Sequence, residues 1–166
     1  MPKFTLSHEI HCTPERFWQV FFDREFNNWL YRDALGFNEF NVVEQSAGPA
    51  ITRKVKGSPK VDLPGPIRKI LGDRFGYEEE GRFDPATQRW SWKMKPSTMA
   101  DKMKMEGVVR CEPAGPGKCR RVADITIEAK VFGVGGMIEK TSEKELRAGW
   151  DASAVHMNKW LAEHPE

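Results

Sequence analysis

Four polar side chains fall where alternating strands turn inward. His8 sits between Leu6 and Ile10, Arg53 between Ile51 and Val55, Glu79 between Tyr77 and Gly81, and Arg121 between Cys119 and Ala123. A charge that faces an interior must be paired, hydrated or neutralised. Two readings of the four stay open at this level. They could orient the polar head of a small ligand, or Arg53, Glu79 and Arg121 could lie at wet strand ends or pair with one another while His8 is a satisfied core histidine. Glu79, in mid-strand, fits the second reading least. His8, Glu79 and His156 are candidates for acid–base work, but no spacing orders them into a set. The chain has no G-x-S-x-G motif and no Cys/His pair that the sequence alone brings together, so no catalytic residue is assigned. His156 and His164 lack partners at metal-ligand spacing, and Cys12, Cys111 and Cys119 form no C-x-x-C pair. Neither a metal nor another cofactor is expected. Gly133-Val134-Gly135-Gly136 is neither a dinucleotide fingerprint nor a P-loop. Its glycines are read as a sharp strand-to-helix turn with close packing.

Around the four polar groups lie large, soft apolar residues. Trp90, Trp92 and Met94 alternate on one strand, Met103 and Met105 on the next, and Phe75, Tyr77 and Phe83 on the strand before. Methionine adapts its shape, and apolar pockets with a few polar groups are the common form of small-molecule sites. A solid core would use the same residues.

These stripes need elements to carry them. Residues 3–11 alternate, with Phe4, Leu6, His8 and Ile10 on one face, as in a half-buried strand. Thr13-Pro14 then opens a helix with Phe17, Trp18, Val20 and Phe21. A second helical piece over 24–35 carries Phe26, Trp29 and Leu30, and Gly36 stops it. Strands are predicted at 37–45, 50–57, 74–83, 88–95, 102–112 and 118–131. The turns between them are short, which implies antiparallel neighbours. Pairing Cys111 with Cys119 sets Met105 opposite Ile125 and Met103 opposite Ile127, so the two apolar faces coincide. A long helix over 136–163 closes the chain. Leu146, Trp150, Ser153 and Met157 line one side of it, and the sheet is the surface it must bury against.

The segment 58–73 carries three prolines and five apolar residues, Val61, Leu63, Ile67, Ile70 and Leu71, and reads as a lid or binding loop. The stretch 50–74 holds seven basic residues against two acidic ones, so the loop could dock transiently on an anionic membrane surface. Globally, 26 basic against 24 acidic residues give a net charge of only +2 and no reason to expect nucleic acid. There is no apolar run long enough for a signal peptide or a membrane span. Cys111 and Cys119 flank a hairpin turn and could face each other. An odd cysteine count without a secretion signal nonetheless favours reduced thiols and a cytoplasmic location.

The order strand, two helices, six strands, long helix resembles the helix-grip superfamily (SRPBCC) of START lipid-binding domains, Bet v 1-type proteins and polyketide cyclases. Two stretches carry the resemblance: the entry Phe4 to Phe22, with Thr-Pro-Glu-Arg-Phe-Trp, and the exit Ala129-Lys-Val-Phe-Gly-Val-Gly-Gly-Met-Ile-Glu-Lys. The exit is similar to that of uncharacterised bacterial START-like (DUF2505-type) proteins. The resemblance implies one α+β domain over 1–166, a curved antiparallel sheet of about seven strands wrapped around the C-terminal helix, with a cavity between them. The wall would be drawn from His8, Trp29, Arg53, Leu63, Ile67, Tyr77, Glu79, Trp90, Trp92, Met94, Met103, Met105, Gly149, Trp150, Ser153 and Met157. It implies binding of a lipid or other hydrophobic small molecule, with transport as a further role. A cyclase-like enzyme using the same cavity and a partner-binding module with a filled core are the alternatives.

Overall fold

The computed structural model describes residues 2–72 and 75–166. Seven antiparallel strands form one sheet: β1 (Lys3–Ile10), β2 (Glu39–Gln45), β3 (Thr52–Ser58), β4 (Tyr77–Asp84), β5 (Arg89–Pro96), β6 (Met103–Pro113) and β7 (Cys119–Ala129), in the spatial order β1-β7-β6-β5-β4-β3-β2. The first and second strands are thus the two edges. Helices α1 (Pro14–Phe21) and α2 (Arg24–Asn28) carry the chain from one edge to the other. Thr13 caps α1, accepting a hydrogen bond from the Arg16 amide at 3.3 Å, and Asp23 caps α2 through the Phe26 amide at 2.8 Å. The segment read as one helix over 24–35 changes character at Trp29. Residues Trp29–Ala34 form a π-helical turn, and Gly36, at φ +68°, ends it. Short α3 (Gly65–Leu71) lies in the insertion between β3 and β4, and α4 (Gly135–Glu163) packs against β7, β1 and the π turn.

The expected strands all form, with shifted ends. For the strand read at 74–83 and the loop at 58–73, Arg74 and Asp73 lie outside the described residues. The β6–β7 register differs from the expectation by two residues. Cys111 stands opposite Arg121, Met105 opposite Ile127 and Met103 opposite Ala129. The reason is the turn. Gly115 and Gly117 adopt φ of +110° and +68°, and the Ala114 amide bonds to the Lys118 carbonyl. This tightens the connection and lets Pro113 meet Cys119. A slip of two keeps every side chain on its face, so the apolar stripes still coincide.

The glycines at the β7–α4 junction do what their spacing implied. Gly133 takes φ +81°, and a Cβ on Gly135 would lie 2.5 Å from the Ala129 carbonyl oxygen. Across the same junction Glu139 accepts a hydrogen bond from the Ala129 amide at 2.9 Å, latching the first turns of α4 to the end of β7.

Two apolar clusters fill the molecule. The larger joins β1 and β5–β7 to α1, α2 and the C-terminal half of α4. The smaller joins Leu63, Ile67 and Leu71 of the insertion to Met103, Ala129 and Ile138. Three aromatic rings on the inner face rest on glycines of the neighbouring strand. A Cβ at Gly57 would meet Tyr77 at 2.6 Å, at Gly81 it would meet Trp90 at 2.0 Å, and at Gly107 it would meet Trp92 at 2.7 Å.

Candidate ligand cavity

Between the sheet, α4 and the insertion lies a cavity of about 410 Å³, within the range of small-molecule sites. Trp92, Met94, Met103 and Met105 form its floor, and Tyr77 and Glu79 extend that floor along β4. Leu146, Gly149, Trp150, Ser153 and Met157 come from α4, while Leu63 and Ile67 come from the insertion. Lys60, Glu145 and Ala148 are exposed yet line the same space, so they mark its mouth. A Cβ on Gly149 would touch nothing within 4 Å, so this glycine leaves open space beside α4.

Four residues expected in the wall lie elsewhere. Trp90 lies further along the same inner face, against Phe21 at 5.6 Å and Phe22 at 5.4 Å, and so meets α1 and its end rather than α4. Arg53 is drawn to the same place. Its guanidinium lies 4.9 Å from the Phe21 ring centre and 5.0 Å from that of Trp90, and it donates to the Phe21 carbonyl at 3.1 Å. Trp29 turns toward the end of α4, where Trp160 and His156 receive it at 5.3 and 6.0 Å. His8 is engaged from both sides, by Arg121 at 3.1 Å on Nδ1 and by Asp151 at 2.7 Å on Nε2. A guanidinium only donates, so neutral His8 must accept at Nδ1 and carry its proton on Nε2, donating to Asp151.

Arg121, the fourth inward charge of the sequence, does line the cavity. It donates to the Trp150 carbonyl at 2.8 Å and to Ser153 Oγ at 2.9 Å, and lies 4.6 Å over the Trp150 ring. These bonds tie β7 to the middle of α4. Burial pulls its ordinary value down to about 10, so it is still a cation at neutral pH.

The periodicity of 24–35 did not reveal Tyr31. The π turn changes the angle between successive side chains, and it places Leu30, Tyr31 and Leu35 in the cavity wall. Tyr31 stacks on Phe40 with centroids 4.2 Å apart. Its phenol and that of Tyr77 are both pushed up, first by burial and then by the nearby Glu79 carboxyl. Glu79 is itself raised by burial, against a smaller opposing pull from Arg53. None of these three side chains has a hydrogen-bond partner among the described residues, and all three face the cavity.

The three cysteines are free. Cys119 lies between the other two. Its hydrogen bond with Cys111 is the main cause pushing it up to about 12, while the bond that Cys12 donates to Cys119, together with burial, pushes Cys12 up as well. No group of three or more His, Cys, Asp or Glu able to hold a metal occurs among the described residues. No helix there is long and apolar enough to cross a membrane. The outer face of the sheet forms a second, open trough, polar and of mixed charge, where Lys54 lies 3.4 Å from Glu80.

A seven-stranded antiparallel sheet closed by one long C-terminal helix over a cavity defines a helix-grip fold, like that of START and Bet v 1 proteins. Within that class the chain belongs to the DUF2505 family, proteins of unknown function, whose family model matches residues 5–161. No curated protein sequence matches it. Among solved structures it is similar to TTHA0849 from Thermus thermophilus, at 17% identity and TM-score 0.72, covering 99% of this chain and 100% of that one. It is also similar to the Zhui aromatase/cyclase from Streptomyces sp. R1128, at 14% identity and TM-score 0.64, covering 95% and 94%. A third is norcoclaurine synthase from Thalictrum flavum, solved with dopamine and hydroxybenzaldehyde, at 14% identity and TM-score 0.68, covering 99% and 88%.

Proposed function

We propose that this protein binds, and carries, a hydrophobic small molecule or lipid in the cavity between the sheet and α4. The observation that carries this reading is the cavity itself, about 410 Å³ of space walled by Trp, Met and Leu side chains where a filled core would otherwise stand. Packed interiors leave few voids larger than a water molecule, so a space of this size calls for an occupant. The same space argues against a partner-binding module built on a solid core. Native mass spectrometry and solvent extraction of the purified protein test the reading, together with quenching of tryptophan fluorescence by titrated apolar ligands. Trp92 and Trp150 line the cavity and report directly. A co-purifying apolar molecule, or saturable quenching that Gly149→Trp abolishes without unfolding the chain, supports the assignment. An empty protein that no apolar ligand quenches ends it.

Loading requires access, and the insertion is the natural gate. Lys60, Arg68 and Lys69 are exposed on it, and fully exposed Phe132 lies in the adjacent β7–α4 turn. An anionic membrane surface would meet basic charge and an insertable ring there. Loss of co-sedimentation with anionic vesicles in Phe132→Ser is the expected outcome. A reducing, cytoplasmic setting suits the three free thiols. One observation favours a second reading as an enzyme: Glu79 faces the cavity, and burial strengthens its hold on a proton, the direction a general acid needs. His8 and His156 contribute nothing to that reading. One is bonded on both nitrogens and the other packs edge-on against Trp29.

A further inference from the structure

The polar groups around the cavity are unequal in kind, and the inequality bears on the ligand. Among the described residues, the only charged side chains that are buried outright are Arg53 and Arg121. Neither has a carboxylate within ion-pair distance, and each keeps an Nε–H with no partner. The Trp92 indole N–H is also buried and unpartnered. Two more donors, the Tyr31 and Tyr77 hydroxyls, face the cavity unbonded. Only one carboxyl lies among these groups, that of Glu79. Ionised, it leaves the interior one positive charge in excess; protonated, it leaves two and becomes a further donor. Asp151 is hydrogen-bonded to His8 rather than to Arg121, acts on that guanidinium from a distance, and its side chain is 70% exposed. The interior is therefore short of acceptors and of negative charge, a costly condition that an anionic acceptor would relieve.

We propose that the cavity takes an amphipathic monocarboxylate, its head among Tyr31, Tyr77 and Arg121 and its apolar body against Met94, Met103, Met105 and Leu146. This rests on the carrier reading and narrows it to one ligand class. The carboxylate accepts from the two phenols, and its charge offsets the buried guanidinium of Arg121 in the cavity wall. The methionine floor adapts to the body, so selectivity falls on the head group more than on chain shape. Glu145 at the mouth is exposed and hydrated and opposes entry of an anion weakly, while Glu79 beside the two phenols opposes it only when ionised and, protonated, becomes a further donor to the head.

The test compares three ten-carbon probes that differ only in the head: decanoate, 1-decanol and decylammonium, titrated into the full chain at neutral pH with tryptophan fluorescence and calorimetry as readouts. Decanoate is expected to bind about tenfold or more tighter than decanol, and decylammonium weakest, since charge-assisted hydrogen bonds are about twice as strong as neutral ones. Tyr31→Phe keeps the ring stacked on Phe40 and removes the hydroxyl. It should weaken decanoate about five- to tenfold and leave decanol within about twofold. Decanol or decylammonium binding as tightly as decanoate, or Tyr31→Phe affecting acid and alcohol alike, overturns the proposal and leaves the carrier reading standing. Saturable binding by none of the three removes both.

Discussion

Glu79 and Arg121 are both inward-facing charges read from strand alternation, yet the fold treats them in opposite ways. Arg121 is fastened by three partners and ties β7 to α4. Glu79 is left without one, facing Arg53, Tyr31 and Tyr77 across space. Its raised value has a consequence for stability. Between the ordinary carboxylate range and that raised value, the folded chain holds a proton that the unfolded chain has released. Stability therefore falls as pH rises through this window and is full below it. Glu79→Gln cannot ionise. It is expected to melt above the parent at pH 8 and with it at pH 4, measured by thermal unfolding across that range. At this scale the sequence was informative about which residues turn inward and silent about which would find partners. His8 and Arg53 look alike on their strands, but the carbonyl and one ring that hold Arg53 come from Phe21 of α1, 32 positions away, and another ring from Trp90 of β5.

At the scale of elements, alternation and capping residues were enough to place every strand and the long helix, because both are local in sequence. The β6–β7 register and the π turn were not local in that sense. The first depended on two left-handed glycines, and the second on a change of helical pitch that no apolar spacing announces. Tyr31 was invisible for that reason. Two substitutions separate glycines that serve packing from one that borders empty space. Gly149→Ala meets no atom within 4 Å, so it is expected to stabilise the chain by about 0.5–1 kcal/mol through helix propensity. Gly81→Ala would put a methyl 2.0 Å from the Trp90 ring, and the crowding is expected to cost about 1–3 kcal/mol. Denaturant unfolding of both variants beside the parent reads the two signs.

For the whole molecule, the division of the apolar interior into two clusters matters more than its total size. The smaller cluster holds the insertion over the cavity through Leu63, Ile67 and Leu71. It can loosen while the sheet and the larger cluster remain intact. Ile67→Ala is expected to speed amide exchange across 61–72 and to shorten ligand residence, with little change in β5–β7; hydrogen exchange with and without ligand resolves the two regions. The seat beneath Tyr77 has a separate consequence. Because the phenol end of that ring lies over the bare backbone of Gly57, one methyl there would push it upward into the chamber. Position 57 does not line the chamber, yet it sets the headroom above β4. A lineage could retune the bulk of its cargo by a single-carbon change beneath the ring, leaving every residue that touches the cargo as it was.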